Sequence, residues 1–350
     1  MEHQFSYTTS PSCTCIIPSI IQFLQWVPPI SQLVLGAYAA VGVCLGRKNH
    51  IQNPPPYQEV VQICKNQGIQ RIRLYEADRD MLHALAGSKI EVMLGIPNEC
   101  IETLSINTAS AETWVMENIF RYPSVDFKYI VVGNEIDLAT EGSVLLKAMQ
   151  NILGALCKHG LQIYVTTAIG PQLLSDHSFN PPSKAVFQDN VLGSMVNILE
   201  FLDERGYPLL VNVHPFKCYV ATANPDLQIL NFALFNHSNI MIVDGDLVYH
   251  NLFDAMFASL RAAVNKTSKD TPFKRGLVIS ETGWPTAGFG TATSVPNAMT
   301  FNCKIIERIK QDIISTPVYI HSLFDEKWKS TINEWDKYWG LLETDGRFKS

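Results

Sequence analysis

The 350-residue chain carries little charge and no concentration of it: Lys, Arg, Asp and Glu make up 17% of residues and the net charge is -6. Without a basic patch it lacks the electrostatic footprint of a nucleic-acid binder or of a protein held on an anionic membrane surface. No CxxC pair occurs. Of eight cysteines, Cys13 and Cys15 lie near the start, and Cys44, Cys64, Cys100, Cys157, Cys218 and Cys303 are widely spaced. That pattern signals neither a zinc site nor a disulfide framework, and buried free thiols are expected. No apolar run of about 18 residues is free of helix breakers, so no membrane span is expected. No glycine-rich phosphate turn comes after the first apolar run; GRKNHIQNPPP stands there instead, which counts against a dinucleotide-binding sheet.

What is present is a large apolar fraction, 47%, enough for a substantial core. Residues 1–39 differ from the rest: a polar start, then an apolar stretch interrupted by prolines and closing on Ala37-Tyr38-Ala39, a small-x-small pattern of the kind signal peptidases cut. No Lys or Arg precedes Arg47, so this is an atypical leader. Residues 40–350 show no linker or repeat and are expected to form one domain. Asn236 and Asn265 open N-x-Ser/Thr sequons, which matter only for an exported chain.

From residue 40 two textures alternate. The runs AVGVCL (40–45), QRIRLYE (70–76), KIEVMLGI (89–96), FKYIVVGNE (127–135), QIYVTTAI (162–169), YPLLVNVHP (207–215), RGLVISET (275–282) and TPVYIHSLF (316–324) are almost continuously apolar. Strands covered on both faces read this way. Helix-period segments such as YQEVVQICKNQG and LFDAMFASLRAAV fill most intervals, several stopping at a glycine (Gly68, Gly160, Gly206) before the next strand. Eight such repeats predict a single (β/α)8 TIM barrel, whose chemistry sits at the C-terminal strand ends.

Five strand ends are polar or acidic: Tyr75-Glu76-Ala77-Asp78, Asn98-Glu99, Asn134-Glu135, Glu281 and Asp325-Glu326. With few basic residues near them in sequence, these acids are expected to raise one another's pKa values. Two facing carboxyls suit acid/base work on a glycosidic bond; the rival is Mg²⁺ or Ca²⁺ held by the same acids. Asn134 would offer an amide to a sugar hydroxyl. Tyr75, Phe216, Tyr219, Trp284, Phe324 and Trp328 crowd the same ends and would offer flat faces to pyranose rings. Glu76 and Glu99 read better as rim or capping acids. Trp335 and Trp339 read as closing a barrel end, and His214 as a donor behind the site. Glu135 and Glu281 stand out because each comes at the end of a long buried run.

LVISETGWPTAG (277–288), YIVVGNE (129–135) and FDEKWK (324–329), with GVCLG, NPPSKAVF, NVHPF and NLFDAMFASL between and before them, resemble plant glycoside hydrolase family 17, the endo-1,3-β-glucanases. The likeness runs from Val41 to about Lys349. It implies a (β/α)8 barrel that hydrolyses 1,3-β-glucan with retention and without cofactor or metal. Glu281 would be the nucleophile and Glu135 the proton donor. Tyr75, Glu326 and Lys329 would support them in the cleft, with Asn134, His214, Phe216 and Trp284 as further sugar contacts. A β-glucan partner, a monomeric state and secretion to the cell wall are implied by the same likeness. The chain departs from the family pattern at His214, where a Tyr is usual, at Lys217, at Leu45, and at Asp336, where a Glu is usual. These departures leave open a glucan-binding barrel with little turnover, or a transglucosylase.

Overall fold

A computed structural model of the chain describes residues 40–46, 55–175, 179–222, 225–268, 273, 275–311, 314–347 and 349. The expected leader at 1–39 lies outside the described residues. The strands are β1 (Val41–Leu45), β2 (Arg71–Leu74), β3 (Glu91–Ile96), β4 (Asp126–Asn134), β5 (Tyr164–Ile169), β6 (Leu209–Asn212), β7 (Ile242–Asp244), β8 (Leu247–Tyr249), β9 (Leu277–Thr282) and β10 (Val318–Ile320). Eight of them close a parallel barrel in the order β1-β10-β9-β6-β5-β4-β3-β2. The expected (β/α)8 barrel is therefore what the chain forms, and β9 and β10 are its seventh and eighth barrel strands.

Ten α-helices accompany the strands among the described residues: α1 (Tyr57–Asn66), α2 (Arg79–Leu85), α3 (Ile101–Ile106), α4 (Thr108–Val115), α5 (Leu138–Lys158), α6 (Asp189–Arg205), α7 (Pro215–Ala221), α8 (Leu227–Ala233), α9 (Leu252–Thr267) and α10 (Val295–Lys310). Helix α5 shows why they form. The Asp137 side chain accepts from the Ala139 amide at its start, and Leu138, Leu145, Met149, Ile152 and Leu156 bury one face. The expected glycine stops lie in the left-handed region, with φ of 68° at Gly68, 69° at Gly160 and 65° at Gly206.

Side chains of alternate parity separate into two cores. Val92, Leu94, Ile130 and Val132 face the helices in the larger one. Cys44, Met93, Tyr129, Val131, Ala168, Leu210, Val278 and Tyr319 fill the barrel interior. Two differences from the sequence expectation stand out. The eighth barrel strand stops at Ile320, well short of the apolar run that ends at Phe324. A small antiparallel hairpin, β7–β8, lies outside the barrel between β6 and β9. Its Gly245-Asp246 turn is a hairpin signal, but three-residue strands that leave Val243 and Leu247 exposed have too little buried pattern to be read as barrel strands.

Both acid-bearing strands are irregular just before their acids. On β4, Val131 pairs with Thr166 and Asn134 with Ala168, so three steps of β4 face two of β5. On β9, Val211 pairs with Ile279 and Asn212 with Glu281, and the register to β10 slips in the same sense. Each strand thus carries one extra residue, a bulge that re-aims the side chains after it. In β4 the bulge falls at Gly133, whose φ is 72°; a Cβ there would meet Ile101 Cδ1 at 2.8 Å. Gly133→Ala is therefore expected to cost roughly 1–2 kcal/mol from the left-handed backbone alone. A lowered denaturant midpoint would register it; an unchanged midpoint would contradict the bulge geometry.

Candidate active site

At the C-terminal mouth of the barrel lies a cavity of about 300 Å³ lined by Gly46, Tyr75, Asn134, Glu135, Lys217, Glu281, His321, Glu326, Trp328, Lys329, Asp336 and Trp339. This is at the low end of the range for small-molecule sites, about 300–1,000 Å³. Glu135 and Glu281, 146 positions apart in sequence, meet here. Glu135 sits one residue past β4 with φ 50°, a left-handed conformation that a non-glycine residue holds only when its surroundings enforce it. Those surroundings include Asn98, whose side chain accepts from the Asn134 amide (2.8 Å) and donates to the Asn134 carbonyl (3.1 Å), and the Glu135 amide, which donates to the Ala168 carbonyl.

A buried polar chain joins the two acids. Arg73 is 1% exposed and lies at the inward parity of β2 between Ile72 and Leu74. Its Nη1 forms an ion pair with Glu281 Oε1 at 2.9 Å and donates to Asn212 Oδ1 and the Ser280 carbonyl, while Nη2 donates to Asn134 Oδ1. Asn212 Nδ2 donates in turn to Glu135 Oε1 at 2.7 Å and to Asn134 Oδ1 at 3.0 Å. Gln172 makes a longer contact, 3.5 Å, to Glu135 Oε2. A guanidinium presents several donors in a fixed plane, so one side chain sets the relative positions of groups on three other strands.

Burial alone would push the Glu281 carboxyl up. Burial is the largest single influence, but the Arg73 charge, the His214 hydrogen bond and the smaller contributions of the neighbouring histidines together outweigh it and hold the carboxyl well below its ordinary value. The expectation that the mouth acids raise one another thus fails for Glu281, because the compensating cation comes from β2, 208 positions away. Glu326 moves in the expected direction: burial raises it, against the pull of Lys329, with which it pairs. Tyr75 donates or accepts across 3.1 Å to His321 Nδ1.

Tyr75, Asn134, Glu326 and Lys329 are brought to the cavity together with the two acids. Other expected sugar contacts are placed elsewhere, Tyr219 and Phe324 among them. Phe216 and Trp284 are 0% and 1% exposed and pack on each other at 5.1 Å, with Trp335 and Phe301 against them; Trp284 Nε1 donates to the Ala292 carbonyl. They form an apolar buttress behind the mouth because their faces are satisfied by other rings. His214 is buried behind Glu281 and is absent from the cavity wall. Conversely Trp339, expected to close a barrel end, lines the cavity. Asp325 turns away, accepting from the Gly340 amide and Lys349, and Glu76 and Glu99 do not line the cavity. Among the described residues no group of three His, Cys, Asp or Glu is arranged to hold a metal ion. The residues that sequence reasoning missed are Arg73, Asn212, Gln172 and His321. For Arg73 a signal existed: a cation at the inward position of an otherwise apolar strand needs a buried anion.

Fold and mouth together define the class, a (β/α)8-barrel glycoside hydrolase with paired carboxylates at the strand ends. The model of glycosyl hydrolases family 17 matches residues 41–349, and the chain belongs to that family. A glucan endo-1,3-beta-glucosidase of Vitis vinifera is 36% identical over 339 residues, covering 93% of this chain and 94% of the relative. The basic vacuolar isoform of glucan endo-1,3-beta-glucosidase from Nicotiana plumbaginifolia is 36% identical over 323 residues, 89% of this chain and 85% of the relative. Among solved structures, CJP38, a beta-1,3-glucanase and allergen of Cryptomeria japonica pollen, superposes with a TM-score of 0.79 at 35% identity, covering 88% of this chain and 97% of that one. Among the described residues no helix is long and apolar enough to cross a membrane.

Removing the Arg73 charge while keeping its bulk, in Arg73→Met, strands the Glu281 carboxylate in the core. Losing one partner of a buried pair costs about 3–5 kcal/mol. The Glu281 carboxyl, depressed in the native protein, contributes stability that is present above the ordinary Glu value and lost as pH falls through its folded value. In Arg73→Met the carboxyl is expected to titrate at higher pH and this stabilising contribution to be absent. Carboxyl ¹³C NMR and acid unfolding measure both; an unmoved Glu281 titration contradicts the assignment.

Proposed function

We propose that the chain cleaves internal 1,3-β-glucosidic bonds of a β-glucan with retention at the anomeric carbon. The observation that carries this reading is the polar chain Glu135–Asn212–Arg73–Glu281. It presents two carboxylates to one cavity and treats them differently: Glu281 is locked ionised by a buried cation, and Glu135 is held by amides alone. An ionised carboxylate fixed against the barrel wall suits attack on the anomeric carbon. A partly exposed acid held by neutral donors can carry a proton to the leaving oxygen and later take one from water. In the first step the Glu281 oxygen forms a bond to the anomeric carbon as the glycosidic C–O bond breaks and the Glu135 proton moves to the leaving oxygen. Water then displaces Glu281, giving its proton to Glu135. The names of the relatives support the β-1,3 linkage. We extend the same reading to a monomeric protein that leaves the cytosol; sedimentation, and N-terminal sequencing of exported protein, test those two points.

Glu281→Ala is expected to abolish release of reducing ends from laminarin, with azide restoring turnover as a β-glucosyl azide. Full activity in that variant would refute the nucleophile. Glu135→Gln should lose far less activity on an aryl glycoside with a good leaving group than on laminarin, since the former needs no proton. Equal losses would remove Glu135 from the acid role. Products sized at high oligosaccharide concentration separate hydrolysis from transfer to sugar.

A further inference from the structure

Glu281 is gripped at both oxygens. Arg73 holds Oε1 from below, and His214 Nε2 lies 3.2 Å from Oε2. His214 stands at the end of β6, is 3% exposed, and its ring is fixed edge-on to Trp339 at 5.1 Å and to His321 at 6.0 Å. Its Nδ1 has no hydrogen-bond partner among the described residues. An ionised carboxylate only accepts, so Nε2 carries the proton facing it, and Nδ1 is left as a buried bare lone pair.

We propose that His214 is a positioning residue: the neutral ring donates Nε2–H to Glu281 Oε2 and aims the other lone pairs at the anomeric carbon, and a second proton on Nδ1 switches the site off. The inference rests on Glu281 being the nucleophile. Charging the ring turns the hydrogen bond into an ion pair, which weakens the carboxylate as a nucleophile. It also sets a cation beside a sugar carbon that becomes positive in the transition state. The groups facing His214 are Glu281 on β9, Glu135 after β4, Lys217 on α7 and His321 after β10. Burial and the Lys217 charge keep the ring neutral against the two carboxylates, so that it protonates below its ordinary value of 6.5. The carboxyl of Glu281 is also held down, well below its ordinary 4.5. The acid limit of activity is assigned to the second protonation of the His214 ring, and the pH profile decides between it and the nucleophile.

The test is the pH profile of kcat/KM on laminarin for the full chain, His214→Gln and His214→Phe. Glutamine keeps an N–H donor and cannot titrate, so its acid limb should extend to lower pH by about one unit or more, with kcat near neutrality within a few-fold of the parent. Phenylalanine keeps the ring but no donor. Loss of a hydrogen bond to a charged group, about 1.5–3 kcal/mol, predicts a kcat lower by about tenfold or more with KM little changed. An acid limb that stays in place in His214→Gln overturns the proposal. So does ¹⁵N NMR of the parent at neutral pH that finds the proton on Nδ1, a readout that needs no active variant. A parent chain inactive on laminarin at every pH falls on the hydrolase reading instead, while the NMR result still decides the hydrogen bond.

Discussion

The site depends on one buried ion pair, Arg73 with Glu281. A guanidinium at 1% exposure is costly to desolvate, and the barrel tolerates it because its two terminal nitrogens meet a carboxylate, two amide oxygens and a backbone carbonyl, leaving Nε alone without a partner among the described residues. The same cation that answers the nucleophile candidate also reaches, through Asn212, the acid candidate. Polar groups spread over β2, β4, β6 and β9 are thereby made into one unit. Because an isolated buried charge is so unfavourable, no member can shift without exposing another to an unpaired state.

Around this unit the cavity wall sorts into layers. Charged and amide groups form the floor, Tyr75, Trp328 and Trp339 form the sides, and the aromatic buttress of Phe216, Trp284, Phe301 and Trp335 sits behind without touching the opening. Lys217 and Lys329 stand at the rim with Asp336, whose carboxylate is held by the Thr331 hydroxyl.

The fold was almost wholly legible in the sequence, because two-sided burial leaves long apolar runs and a barrel needs eight of them. The acid pair was legible for the same reason, since Glu135 and Glu281 interrupt such runs. The supporting residues were not. Arg73 and Asn212 lie within apolar runs and gain meaning only from the pairing of distant strands, which no local pattern reports. Trp284 was misplaced because an aromatic beside an acid suggests a sugar platform, whereas its neighbours in space, Phe216 and Phe301, come from other elements. His321 was hidden by a run that reads as strand up to Phe324 but leaves the barrel at Ile320.

The extra residues in β4 and β9 set regularity against chemistry. With Val131 and Val278 pointing inward, strict alternation would send Asn134 and Glu281 toward the helices. Straightening either strand without changing its length would mend the ladder and improve the sheet as a sheet, yet turn a functional group into the hydrophobic layer. In this barrel the candidate mouth is maintained by two places where the architecture is kept slightly wrong, and a design that idealised the backbone would take the site apart while keeping the fold.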